Sequence, residues 1–293
     1  MDFTRSCGVA GALLLAATLA SPASAGEPRG GGKLLLTNGI STIEGSAGGG
    51  LTPWAVIAGN ATKDGVGVQS GITVAALRSY DFRSLDLAIG AWDRIELSYA
   101  HQRFDTNKVG GKLGLGNNYK FDQDIWGAKL RLAGDAVYGP ALLPAVAVGA
   151  QYKKSLSGAI VHAIGARHSG GTDVYASATK LFLARSILVD TTARLTKANQ
   201  TGLLGFGGDR GGGYTLQAES SVAWQLSRRF AIGAEYRTKP DRLSIAHESD
   251  WADLFAVLAI GRHLTATVAY ADLGAIATEK GQRGLLLQLQ GSF

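Results

Sequence analysis

The stretch Arg283-Gly-Leu-Leu-Leu-Gln-Leu-Gln-Gly-Ser-Phe293 decides the fold. Leu285, Leu287, Leu289, Gly291 and Phe293 share one phase of a two-residue period, while Gln288, Gln290 and Ser292 take the other. That alternation describes a strand with one apolar and one polar face. The same pattern recurs up the chain. Leu264, Ala266, Val268 and Tyr270 oppose Thr265 and Thr267, and Phe230, Ile232, Ala234 and Tyr236 oppose Gly233, Glu235 and Arg237. Further strands are expected around Leu216–Gln225, Ile187–Leu195, Val146–Lys153, Trp126–Leu132, Ile95–Ala100, Leu85–Trp92 and Ile72–Tyr80, with a weaker, small-residue one at Val174–Lys180. Leu254 to Ile260 is apolar on both phases, so its faces stay open.

The connections alternate in length. Asp93, Ser227–Arg229 and Gly261–His263 are tight, whereas Asp105–Lys120, Lys197–Gly213, Lys239–Asp250 and Leu273–Arg283 are long and hydrophilic or glycine-rich. Tight turns on one side and long loops on the other are the signature of outer-membrane barrels. A terminal Phe on an alternating strand resembles the closing strand of such barrels, where it serves as the assembly signal; Phe293 holds that place. If Phe293 is periplasmic, the long loops face outside. The expected fold is all-β, a transmembrane antiparallel up-and-down barrel of about 12–14 strands. The larger number applies if Lys33–Glu44 and Leu51–Asn60 both join the wall. Lys154–Gly171 reads either as a loop with a helical turn or as an extra hairpin.

The N-terminus sets the compartment. Arg5, an apolar run from Val9 to Ala20, and Ala23-Ser-Ala25 as a small-x-small site make residues 1–25 a cleaved secretory signal peptide. The run is too short to span a bilayer as a helix, which takes roughly 20 apolar residues. Cleavage removes Cys7, the sole cysteine of the sequence, and with it any disulfide or thiol chemistry. Residues 26–50 form a glycine-rich segment, read as a first hairpin or a lumen plug, with a flexible lead as the plain alternative. Residues 51–293 form the barrel. A formal charge of +6 is compatible with nucleic-acid binding, but export argues against it. Anionic lipid headgroups and anionic solutes are the expected company of a basic exported chain.

The polar phase points into the lumen and carries Asp86, Glu96, Lys129, Arg131, Lys153, Asp190, Arg194, Glu219, Glu235 and Arg237. Eight strands leave an interior just filled by side chains, and 16–18 leave an aqueous channel. These residues therefore line either a narrow constriction or a salt-bridge ladder that fills the lumen. Both signs are balanced among them, which predicts no strong ion selectivity. Aromatics suggest two girdles: Trp92, Trp224, Phe230 and Phe293 near periplasmic ends, and Tyr99, Trp126, Tyr152, Tyr236, Trp251 and Tyr270 near outer ends. Trp92 takes the inward phase in this register and fits its girdle poorly. His101 and Arg103 keep the outward phase at an outer strand end, where they could meet lipopolysaccharide phosphates or be solvated end-of-strand charges.

The five histidines have no metal-site spacing. His168-Ser169 is the one His–Ser adjacency and reads as loop. Gly205–Gly213 lacks the Lys-Ser/Thr of a phosphate-binding loop and reads as a hairpin tip. No catalytic, cofactor or metal residue is expected.

The stretches Gly32–Gly39, Ile43–Ile57, Trp92–Tyr99 and Gln102–Thr106, above all Ile43-Glu-Gly-Ser-Ala-Gly-Gly-Gly-Leu-Thr-Pro-Trp-Ala-Val-Ile57, resemble an uncharacterised proteobacterial family labelled as a domain of unknown function. The resemblance covers most of the mature chain. It implies an exported envelope protein and brings no activity or ligand. The leading reading is a passive, porin-like channel for small hydrophilic solutes in the outer membrane of a Gram-negative bacterium. The alternative is a structural or surface-interaction barrel with a filled lumen, and an outer-membrane lipid-modifying enzyme ranks last. Expected partners are outer-membrane lipid, lipopolysaccharide and, through the C-terminal strand, the barrel-assembly machinery.

Overall fold

The computed structural model describes residues 33–140 and 142–293; the expected signal peptide and residues 26–32 lie outside them. Two two-residue strands, β1 (Ile40–Ser41) and β2 (Ala47–Gly48), pair with each other. Twelve longer strands form one closed antiparallel barrel: β3 (Val66–Leu77), β4 (Asp81–Ala91), β5 (Ile95–Asp105), β6 (Lys120–Ala133), β7 (Ala145–Ser155), β8 (Gly170–Phe182), β9 (Ile187–Thr196), β10 (Thr215–Gln225), β11 (Phe230–Arg237), β12 (Trp251–Ala259), β13 (Leu264–Asp272) and β14 (Arg283–Ser292). Each strand pairs with its chain neighbours, and β14 closes onto β3. Short helices α1 (Asn107–Lys112) and α2 (Gly158–Ala163) sit in two of the long loops. Thus Lys154–Gly171 holds a helical turn, not an extra hairpin.

Period-two patterning explains the wall. Leu97 is 59% exposed on the outer face, while its neighbour Glu96 is 1% exposed. Leu85, Leu87 and Ile89 point out between buried Asp86 and Ala88. Closure removes every sheet edge, so the backbone is satisfied within the wall and an apolar exterior can face hydrocarbon. The open case of β12 resolves the same way: Phe255, Val257 and Ala259 point in, and Leu254 and Leu258 point out.

The turn at Ala91–Arg94 has both central residues left-handed, Trp92 at φ 54° and Asp93 at φ 51°, with Arg94 N donating to Ala91 O at 2.9 Å. This twist matches that of the flanking strands. Trp92 is therefore exposed at the turn and not inward as its phase suggested. Trp251 departs from the expected outer girdle in the other direction, because it is buried inside. The alternation of connection lengths has two exceptions. Arg78–Tyr80 is a tight turn at the long-loop end, and residues 134–144 make a longer connection at the tight-turn end.

The wall begins at Val66. Leu51–Asn60 forms no wall strand, which removes the fourteen-strand count, and residues 51–65 do not belong to the barrel wall as the sequence suggested. Phe293 ties these parts together. Its carbonyl accepts from both Val68 N (2.9 Å) and Asn60 N (3.0 Å), its own N–H donates to Val68 O, and its ring stacks on His263.

Candidate functional site

Residues 37–58 are almost wholly buried, yet they contain little regular structure. A buried backbone without a ladder must find other partners for its N–H and C=O groups. Here the inward side chains of the wall supply them. Glu96 accepts from Ala47 N, Ala58 N and Ser46 Oγ. Glu235 accepts from Leu51 N (2.7 Å) and Thr52 N (3.1 Å). Gln290 accepts from Ser41 N, and Gln288 donates to Ser41 O. Gln102 and Ser84 donate to Ile43 O; Ser177 and Thr192 donate to Pro53 O. Partners on opposite sides of a closed barrel place this segment inside the lumen.

The segment's own chemistry concentrates at one side chain. The chain turns over at Gly45 (φ +92°), where Gly45 N donates to Thr42 O. This tip projects Glu44 among three wall cations. Glu44 Oε1 lies 2.5 Å from Lys153 Nζ and 3.2 Å from Arg237 Nη2, and Oε2 lies 3.3 Å from Arg194 Nη2. Arg194 and Arg237 share Glu219, at 2.5 and 3.3 Å, and Lys153 also meets Asp173 at 2.7 Å. All six side chains are at most 1% exposed. Three cations face three carboxylates, so the cluster is neutral only with Glu44 present. Burial acts to raise the Glu44 pKa, but Arg237, Lys153 and Arg194 outweigh it and hold the carboxyl well below the ordinary range.

A second pair stands nearer the tight-turn end. Lys129 meets Glu96 at 3.1 Å and donates to Ser46 Oγ, Ala47 O and Trp54 O. Arg131 reaches Asp93, which also meets Lys33 at 3.3 Å. Asp190 accepts from the Thr179 hydroxyl, and Thr179 Oγ1 in turn accepts from Ala55 N. Asp86 is buried opposite Gly71 of β3.

The ten charged residues of the inward phase are therefore all buried. Lys153, Arg194, Glu219 and Arg237 are brought together around Glu44; Glu96 with Lys129, and Glu235, hold other parts of the segment; Arg131, on β6, sits apart and reaches Asp93 of the Ala91–Arg94 turn. Sequence reasoning missed Glu44 and Asp173 as members of the cluster. Of the polar phase of the last strand, Gln288 and Gln290 clamp Ser41.

Two glycines make the close approach possible. A Cβ on Gly90 would stand 2.1 Å from Ala58 O, and one on Gly49 would stand 2.2 Å from Glu235 Oε1. A side chain at Gly90 would meet backbone and push the segment off the wall, whereas one at Gly49 would displace the Glu235 carboxylate.

Outside the lumen, Arg103 forks onto Asp122 (2.7 and 3.0 Å), and His101 meets Asp124 at 2.8 Å. The Arg103 guanidinium is thus partnered by a carboxylate. Ser169 Oγ accepts from Lys154 Nζ, and His168 is engaged through its backbone with Phe206.

A closed, even-stranded antiparallel barrel with an apolar exterior, mostly tight turns at one end and long loops at the other, has the architecture of outer-membrane barrels. Among solved structures, the KdgM porin shares 8% identity over 77% of this chain and 99% of its own, at a TM-score of 0.49. The NanC porin shares 10% over 78% and 99%, at 0.46. The COG4313 outer membrane channel from Pseudomonas putida F1 shares 12% over 78% and 96%, at 0.47. None of the curated proteins matches the chain in sequence. The model of the family described as "Protein of unknown function (DUF3034)" matches residues 37–290, and the chain belongs to that family.

Proposed function

We propose that this barrel is a plugged channel for small hydrophilic solutes, closed in the conformation described and opened when the lumen segment leaves its seat. The observation that carries the reading is the way the segment is held. Side chains, not a continuous strand ladder, bind it to the wall. It can therefore leave with the strand-to-strand ladder of the wall intact. What it would leave behind is a lumen lined by charges of both signs, suited to water and polar solutes.

The test is conductance in planar bilayers. The wild type is expected to be silent, and a Glu44→Ala/Glu235→Ala variant, folded by heat-dependent gel mobility, is expected to show discrete openings. A wild type that conducts steadily would contradict the closed state. Silence of a folded variant would favour the second reading, a structural barrel with a filled lumen, which the depth of burial around Glu44 also suits. In either case lipid and lipopolysaccharide would surround the wall, and the strand ending at Phe293 would be the segment offered to the assembly machinery.

A further inference from the structure

Beyond the tip of the lumen segment, towards the long loops, the interior changes character. Ile43 and Leu51 form a floor, Phe82, Phe104, Phe121 and Trp251 stand on the wall, and loop residues such as Leu203, Leu204 and Ile276 close over them. They enclose a cavity of about 150 Å³. Its lining is almost entirely aliphatic and aromatic. The Tyr80 hydroxyl is consumed by donating to Ile276 O at 3.1 Å. A buried water needs two to four polar partners, and this lining offers few. In other proteins a cavity of about this volume with such a lining stays dry and holds a benzene-sized molecule.

Two further observations point to a ligand and not to a packing defect. Trp251 Nε1 and Gln200 Oε1 belong to buried residues of the lining and have no hydrogen-bond partner among the described residues. Orphaned buried polar atoms are uncommon in folded proteins, and both of these belong to residues that line the chamber. The chamber is also reachable. Ile245 and Leu113 line it and are themselves exposed on the loops.

We propose that this chamber binds one uncharged hydrophobic small molecule about the size of a single aromatic ring. Ile43 and Leu51 of the lumen segment form its floor, so the site as described rests on the reading that this segment is seated in the lumen.

The test uses the full folded protein in lipid nanodiscs with radiolabelled toluene, and empty nanodiscs of the same lipid correct for partition into the bilayer. The expected result is a saturable excess of toluene approaching one molecule per barrel. Filling the chamber with Ala246→Phe should weaken binding by about tenfold or more. Ile245→Trp, at the exposed rim, makes the same comparison if the first variant fails to show heat-dependent mobility. Benzoate, which puts a carboxylate where toluene has its methyl, should not displace toluene. Uptake that matches empty nanodiscs, or an undiminished excess in a folded, filled variant, would overturn the proposal. Displacement by benzoate as effective as by unlabelled toluene would overturn the assignment to uncharged ligands.

Discussion

Glu44 and Lys153, separated by 109 residues in sequence, meet at 2.5 Å inside the barrel, both shielded from solvent. One comes from a glycine-rich stretch without periodicity and the other from a wall strand. This contact, with those from Arg194 and Arg237, joins the lumen segment to the wall by charge.

Replacing Glu44 by Gln leaves three buried cations facing two carboxylates. Removing one partner of a buried ion pair costs about 3–5 kcal/mol, because the remaining charge is uncompensated. Glu44→Gln is expected to lower the stability of the folded barrel by that order, measured as a shift of the denaturant midpoint in vesicles. A shift within error of zero would mean that Glu44 does not sit in the cluster.

The same carboxyl sets a pH signature. Its folded pKa lies below the unfolded value, roughly 4.3 for Glu. Its contribution is therefore complete above that value and disappears as pH falls through the folded one. The stability difference between wild type and Glu44→Gln is expected to be the same at pH 7 and pH 5, to shrink below about pH 4, and to persist in part at pH 3. A difference already gone at pH 5 would contradict the geometry.

Gly90→Ala is expected to destabilise the barrel by about 1–3 kcal/mol, the usual cost of overpacking, because its Cβ would meet Ala58 O at 2.1 Å. Gly213→Ala, with nothing within 4 Å of its Cβ, should be close to neutral by the same denaturant titration. Equal effects would mean that the segment does not touch the wall at Gly90.

On the outer face, Leu87 lies mid-strand and exposed. An Arg there should cost about 2–4 kcal/mol when the barrel is embedded in lipid, read from folding titrations into vesicles. A neutral result would place this face out of the bilayer.

The wall was legible because period two records which face each residue takes. Leu285, Leu287 and their counterparts identify strands whatever fills the lumen. The purpose of the inward face was not legible. Lys153, Glu235 and Gln288 alternate in the same way whether they meet water or a peptide backbone, and nothing local in the sequence chooses between the two. Glu44 carries no periodic signal, since its partners lie on β7, β9 and β11. β12 hid its faces because Phe255 and Val257, although inward, pack on the apolar part of the segment around Ile40 and Trp54. The outer chamber was invisible for a related reason: its roof comes from scattered apolar residues in loops that read as hydrophilic.

The most direct measurement is amide hydrogen exchange of the intact protein in nanodiscs. Ser41, Ala47, Leu51, Thr52 and Ala58 donate their N–H groups to wall side chains and lie outside any long strand. If the lumen segment is seated as described, these amides exchange as slowly as those of the wall strands. Exchange as fast as that of the exposed loops would show that the lumen is not held closed by this segment.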